Sequence, residues 1–214
     1  MIPVIVDWES SGAALLYDLL KVPAQEIGNI IGDYLRYIRI KNLESLSHKF
    51  HEQKGKNKTT RPIELKLGIP LLNAASLEEN DVLQELWVRL LVNAANPDFT
   101  SEIRVAFIDI IKTLTPTDAQ ILRLIYSSVT PQDLAGSSRI EVCINRTKAI
   151  NDLHIDPLTC DASLDNLERC QLISRPDPMW SETDEDGSVI KILTALGILF
   201  IRACISDSDK TSNV

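Results

Sequence analysis

Histidine and cysteine most often serve as nucleophiles, general bases or metal ligands, and this chain contains three histidines and four cysteines. His48 and His51 would share one face of a helix, but lysines lie beside them, which is typical of a solvated basic face. A zinc site would need His154 with Cys160 and Cys170, and this spacing matches no common metal motif. None of the eight glycines belongs to a phosphate-binding loop. The sequence therefore predicts no catalytic, cofactor or metal site, and a protein that is not an enzyme.

The cysteines and the apolar segments indicate a cellular compartment. The cysteines form no C-x-x-C pair, and we expect them to be free thiols in a reducing cytosol. The first ten residues lack the basic start and the long apolar run of a signal peptide. The longest apolar segment, residues 189–205, is interrupted by Lys191 and Arg202, so no transmembrane span is expected. The sequence predicts a cytoplasmic protein.

The clearest helical pattern lies in residues 76–96, which we call the signature helix. Ser76 is followed three residues later by Glu79, the arrangement of a capping box that would start the helix. Asn96 precedes Pro97 and should end it, because the residue before proline is disfavoured in the α region. Apolar residues at helical spacing predict a buried stripe, and they are Leu83, Leu86, Trp87, Leu90, Leu91 and Ala94.

The other segments predict a chain of helices with one small hairpin. Pro70 should kink or break one of the helices. Thr115 and Pro116 have the types expected at the N-cap and first turn of another. The predicted helices, besides the signature helix, cover residues 9–20, 23–51, 62–75, 101–114, 116–129, 140–153, 163–170 and 195–206, and a strand covers residues 189–192.

The element order in residues 115–206 is similar to that of a winged-helix domain. In that family residues 164–170 would be the recognition helix and residues 174–190 the wing. These surfaces offer mainly hydrogen-bond acceptors, whereas phosphate contacts need donors or cations. We therefore expect a module for packing or protein contacts instead of a DNA-binding one. The polar residues concerned are Asp161, Asp165, Asn166, Glu168, Arg169, Glu182, Asp184, Glu185 and Asp186.

The predicted fold class is mainly α, with an N-terminal helical bundle followed by a winged-helix-like domain that has one small β-hairpin. The bundle would comprise residues 1–114 and contain the signature helix. The winged-helix-like domain would comprise residues 115–206, and residues 207–214 would be a disordered tail.

Several phrases, in order, resemble the Abi-alpha family of bacterial abortive-infection proteins. They are PAQEIGNIIGDYLRYIR (23–39), IELKLGIPLLNAA (63–75), SLEENDVLQELWVRLLVNAANP (76–97) and the late L-T-x-L-G (193–197). The resemblance covers about residues 15–205. It implies a role in defence against phage, in which an infected cell halts its own growth before progeny are released. It implies no catalytic residues.

Two groups of polar residues are candidates for interaction with a partner. Those near or within the signature helix also have structural explanations. These are the helix dipole for Glu78, an ion pair between Glu85 and Arg89, four residues apart, and a position near the helix end for Asn93. The others form a basic loop. The candidates are Glu78, Glu85, Arg89 and Asn93 in the first group, and Lys54, Lys56, Lys58 and Arg61 in the second.

These candidates support two hypotheses. In the first, the protein contacts an unidentified phage or host protein, or a second copy of itself in a homo-oligomer. In the second, residues 36–61, with eight basic and two acidic side chains, bind nucleic acid or an anionic membrane surface. The net charge of -8 argues against general affinity for nucleic acid.

Overall fold

The computed structural model describes residues 24–54, 59–130, 133, 139–175 and 188–205, with the backbone alone for residues 24–31, 188 and 189. These residues form eight helices and three strands, so the described part is mainly helical, as predicted. The predicted helix at residues 9–20 and the predicted tail lie outside the described residues. The elements are α1 (Ala24–Lys54), α2 (Leu65–Ala75), α3 (Asp81–Ala95), α4 (Ala106–Thr113), α5 (Pro116–Ser127), β1 (Ile140–Asn145), α6 (Arg146–Leu153), α7 (Pro157–Arg169), β2 (Ile173–Ser174), β3 (Ser188–Leu193) and α8 (Ala195–Cys204).

The signature helix begins later than predicted. Its N-cap is Asn80, whose side-chain oxygen accepts hydrogen bonds from two first-turn N–H groups at 3.0 and 3.3 Å. Ser76 instead ends α2, and its hydroxyl donates to the Asn73 carbonyl at 2.8 Å. The predicted capping box of Ser76 and Glu79 is wrong because Ser76 has helical dihedral angles, whereas an N-cap needs an extended backbone.

The apolar stripe of α3 is buried, as the spacing predicts. Trp87 is 1% exposed and belongs to a single hydrophobic cluster that also contains Leu122 and Phe200. The helix ends where predicted, because Asn96 before Pro97 has extended dihedral angles. The core therefore includes residues from both predicted domains, and the boundary at residues 114 and 115 stays a prediction.

The long helix α1 lies along α3, and the two helices run in the same direction. Asn42 Nδ2 donates to the Ser76 carbonyl at 3.0 Å, and Gln53 Nε2 donates to Glu85 Oε2 at 2.7 Å. The N-terminal part of α1 extends past this contact, since residues 32–37 are all exposed. Six consecutive helical residues cover every side of a helix, so this part has no packed face.

Helix α2 contains a proline without a break. It is continuous through Pro70, where the sequence predicts a kink or a break into two turns. The missing N–H of Pro70 would have bonded the carbonyl of Lys66. Because Lys66 is exposed, water can satisfy that carbonyl.

The second half of the chain contains a strand where the sequence predicts a helix. Residues 140–153 are β1 followed at once by α6, so the predicted single helix is wrong. Burial in β1 alternates, with Ile140, Val142 and Ile144 inside and the residues between them exposed. Asn145 ends the strand and caps α6, accepting from the Lys148 N–H at 2.7 Å.

The three strands form one antiparallel sheet in the order β1-β3-β2, not a lone hairpin. Helix α7 starts earlier than predicted because Asp156 caps it and Pro157 fits its first turn. The order α5, β1, α6, α7, β2, β3 is compatible with a winged-helix domain, which stays a prediction. Residues 176–187, where the wing would lie, are outside the described residues.

The junction between β3 and α8 is held tightly to the turn after α7. Thr194 Oγ1 accepts from the Gly197 N–H at 2.9 Å and donates to the Gln171 carbonyl at 2.6 Å. The Thr194 N–H donates to the Leu172 carbonyl at 3.1 Å. A Cβ on Gly197 would lie 2.0 Å from that same Leu172 oxygen, so the close approach requires glycine.

Candidate functional site

A polar seam joins α1 to the N-terminal half of α3. Lys49 Nζ donates to Asp81 Oδ1 at 2.9 Å and to Gln84 Oε1 at 3.1 Å, and lies 3.5 Å from Glu85 Oε1. Ser45 Oγ donates to Gln84 Oε1 at 3.0 Å. The hydrogen bond and charge of Lys49 lower the pKa of the Asp81 carboxyl. This part of the basic stretch is therefore neutralised by the protein itself.

Glu85 belongs to this seam and not to the ion pair predicted with Arg89. Its carboxylate accepts from Gln53 and lies beside Lys49, both on α1. The half-buried Arg89 side chain takes part in no hydrogen bond or ion pair among residues that the structure describes. Glu85 therefore has its partners on α1 and not at the i,i+4 position of its own helix.

The other candidates of the signature region also hold the fold together. Asn93 Nδ2 donates to the carbonyls of Arg202 and Ala203, at 3.2 and 2.9 Å, and so satisfies the last turn of α8. Glu78 accepts from the Asn80 N–H at 3.0 Å through its carboxylate. Its backbone carbonyl accepts from Gln84 Nε2 at 2.8 Å.

One of the four candidates in the basic loop, Arg61, also has a role within the fold. Arg61 Nε donates to the Ala94 carbonyl at 3.1 Å, and its N–H donates to the Ala95 carbonyl at 2.8 Å, which satisfies the end of α3. Lys54 is half-buried at the end of α1. Lys56 and Lys58 lie outside the described residues. The structure therefore does not bring the eight predicted candidates together at one surface.

Exposed apolar side chains form a different candidate surface, which the sequence does not predict. Leu35 continues the apolar pattern of α1 in the sequence, yet it is 46% exposed because α1 extends past its neighbours. Within the part of the chain that the structure describes, eleven large apolar side chains are exposed, and nine of them lie between residues 34 and 77, on α1, α2 and the turn that follows. They are Tyr34, Leu35, Tyr37, Ile40, Leu43, Leu65, Ile69, Leu72 and Leu77.

The exposed face of α7 carries acidic side chains. Arg146 binds Asp161 through two hydrogen bonds of 2.6 and 2.7 Å, and Arg175 lies 3.7 Å from Asp165. The hydrogen bond to Arg146 lowers the pKa of the Asp161 carboxyl. These carboxylates engage the two arginines, which are cations that could otherwise contact phosphate groups.

The Asp161 pair gives a prediction for acid titration. Its carboxyl should titrate below its ordinary pKa, and Arg146→Gln should raise the pKa towards that value. Because the folded-state pKa is the lower one, the pair stabilises the fold above the unfolded-state pKa. That stabilisation is lost as the pH falls through the folded-state pKa. NMR titration of the side-chain carboxyl carbon measures the shift, and an unchanged pKa in Arg146→Gln would contradict the assignment.

The described residues contain no group of three or more His, Cys, Asp or Glu side chains placed to hold a metal ion. Burial raises the pKa of the Cys160 thiol, and it raises that of Cys204 well above its ordinary value. Both thiols are therefore protonated at neutral pH, whereas nucleophilic attack and metal binding need the thiolate. None of the described helices is both long and apolar enough to cross a bilayer.

These features define a mainly helical protein with a small antiparallel sheet, a polar seam along its signature helix and an exposed apolar surface. A family model described as abortive infection alpha matches residues 38–204, and the chain belongs to this family. Membership suggests a role in abortive infection, a form of defence against phage. No curated protein and no solved structure matches the chain.

Proposed function

We propose that this protein serves in abortive infection by contacting other protein chains, without catalysing a reaction. Family membership supports the defence role. The observation that carries the mode of action is the concentration of exposed apolar side chains on α1, α2 and the turn after α2. Large exposed apolar surface is unfavourable in water and is typical of interaction sites.

Half of the polar candidates have roles within the fold, and this favours the apolar side chains as the contact surface. Glu78, Glu85, Asn93 and Arg61 are engaged in hydrogen bonds within the protein. They are explained by the fold, whereas the exposed apolar side chains leave a large part of their surface in contact with water. A partner that covers them would bury apolar surface, which contributes about 25 cal/mol per Å².

A phage challenge tests the role of this surface. Ile69, on α2, is 54% exposed, so Ile69→Glu should leave the melting temperature nearly unchanged. We expect the variant to lose protection, with plaque counts rising to those of cells that lack the protein, because a carboxylate cannot be buried against an apolar partner. Leu158→Glu is the matched control, because Leu158 is 77% exposed on α7, outside this surface. Full protection by Ile69→Glu would contradict the proposal.

The local charge of residues 36–61 favours one alternative, a nucleic acid or an anionic membrane as partner. Against it, the Lys49 ammonium is already bound by acceptors on α3. We therefore expect no binding to DNA, RNA or anionic vesicles at low salt, measured by fluorescence anisotropy and vesicle sedimentation. Binding that falls steeply with salt would favour the alternative if it disappears when four residues become Gln. These are Lys54, Lys56, Lys58 and Arg61.

A further inference from the structure

The outer face of α1 carries an exposed stripe on the side opposite α3. Residues Ile38, Asn42 and Leu46 are buried on the inner side. The outer stripe recurs at spacings of three and four residues, which places its members on one side of a helix. Its members are Asp33, Arg36, Tyr37, Ile40, Leu43 and Glu44.

We propose that this stripe pairs with the same stripe of a second copy of the chain, with the two α1 helices antiparallel and Ile40 on the two-fold axis. The inference deepens the proposed function, since it names one protein contact of the exposed surface. A two-fold contact is self-complementary, so each residue must suit the one placed opposite it.

The sequence of the stripe meets this requirement. About an axis at Ile40, Tyr37 lies opposite the partner's Leu43, and Ile40 lies opposite its own copy. Arg36 lies opposite the partner's Glu44, so the apolar centre is bounded by two identical ion pairs. A parallel pairing would instead place Arg36 against Arg36 and Glu44 against Glu44, which is repulsive.

The charges needed for this pairing are accessible. Glu44 has no ion pair or hydrogen bond within the described residues, and it is exposed. Arg36 pairs with Asp33 at 2.9 Å, but its side chain is 74% exposed. A guanidinium has five N–H donors, so Arg36 can keep Asp33 and bind a second carboxylate. The same axis brings Arg39 to the level of the partner's Lys41, but both residues lie at the edges of the stripe and are exposed, so their charges can remain in water.

The extension of α1 beyond α3 supports a helical partner. Residues 32–37 are exposed on every side, whereas most of the stability of helices in proteins comes from tertiary packing. A second α1 supplies such contacts along the same residues. This account explains both the length of α1 and the apolar side chains on its outer face.

Sedimentation velocity of the purified full chain, over about 1–300 µM, tests the inference in the range where weak interfaces form. We expect the wild type to pass from monomer to dimer. Ile40→Glu should remain monomeric, because it places two carboxylates together on the axis. The control Leu158→Glu should dimerise like the wild type. A wild type that stays monomeric, or an Ile40→Glu variant that still dimerises, would overturn the inference.

A charge exchange tests the antiparallel register. Arg36→Glu and Glu44→Arg should each weaken the dimer about tenfold, because each turns two attractive pairs into two repulsive ones. The double variant should recover most of the wild-type dissociation constant. A double variant whose dissociation constant is higher than that of either single variant would contradict the antiparallel register.

Disulfide cross-linking independently tests the position of the two-fold axis. Under mild oxidation Ile40→Cys should form a covalent dimer, because the two copies of residue 40 meet at the axis. Leu158→Cys, which retains the same four native cysteines, should not exceed the wild type. Equal cross-linking of the two variants would count against the axis.

These results are distinguishable from a failure of the proposed function. Dimerisation is measured without phage, so a monomeric wild type removes the inference and leaves the Ile69→Glu test unaffected. If the dimer forms and Ile40→Glu abolishes it, the inference holds, whether or not that variant also loses protection.

Discussion

Replacement of Trp87 by alanine should lower the free energy of unfolding by about 3–5 kcal/mol. The indole is 1% exposed at the centre of α3, and its removal would leave a cavity within the shared core. Its Nε1 donates no hydrogen bond among the described residues, so the loss would come from packing. Because folded domains are stable by only about 5–15 kcal/mol, the variant should be close to unfolding at 37 °C.

Urea denaturation followed by circular dichroism measures the Trp87→Ala effect. Leu77→Ala is a suitable control, since Leu77 is 50% exposed and its removal should cost less than about 0.5 kcal/mol. A loss below about 1 kcal/mol for Trp87→Ala would mean that the signature helix does not form the centre of the core.

Replacement of Gly197 by alanine should also destabilise the protein strongly, by about 1–3 kcal/mol or more. The added methyl group would lie 2.0 Å from the Leu172 carbonyl oxygen, a backbone atom that cannot rotate away. The first turn of α8 would have to move from the turn after α7. That movement would strain the hydrogen bonds of Thr194 to Gln171 and Leu172.

The effect expected for Gly197→Ala is opposite in sign to the usual effect of replacing glycine by alanine in a helix. In an unobstructed helix, glycine to alanine usually stabilises by about 0.4–1 kcal/mol. Gly32 in α1 is such a position, since a Cβ there would meet nothing within 4 Å. We therefore expect Gly32→Ala to raise the melting temperature and Gly197→Ala to lower it. A melting temperature that rises in Gly197→Ala, as it should in Gly32→Ala, would contradict the steric constraint at the α8 junction.

The sequence predicts those parts of the fold whose signal is local and repeated. The stripe around Trp87 repeats with the helical period over several turns, and the cap of α5 at Thr115 uses adjacent residues with Asp118 completing a capping box. The strand β1 was missed because it is six residues long and passes directly into α6 through Asn145. Ile140, Val142 and Ile144 do alternate as in a strand, but three repeats directly before a helix are too few to separate the two elements.

The contacts of the candidate residues could not be predicted in the same way. Asn93 binds carbonyls 109 and 110 residues later in the chain, and Lys49 reaches Asp81, 32 residues away. Local spacing suggested a nearer partner for Glu85, namely Arg89, and the packing of α1 supplied different ones. The exposure of Leu35 likewise depends on where α1 passes the end of its neighbour, which periodicity alone does not encode.

The Asn93 amide has a mechanical consequence. Helix α8 starts against the turn after α7, and its last carbonyls accept hydrogen bonds from Asn93. It therefore connects the sheet to the signature helix. Because both ends of α8 are held by hydrogen bonds, we expect the sheet and α3 to keep a fixed position relative to each other.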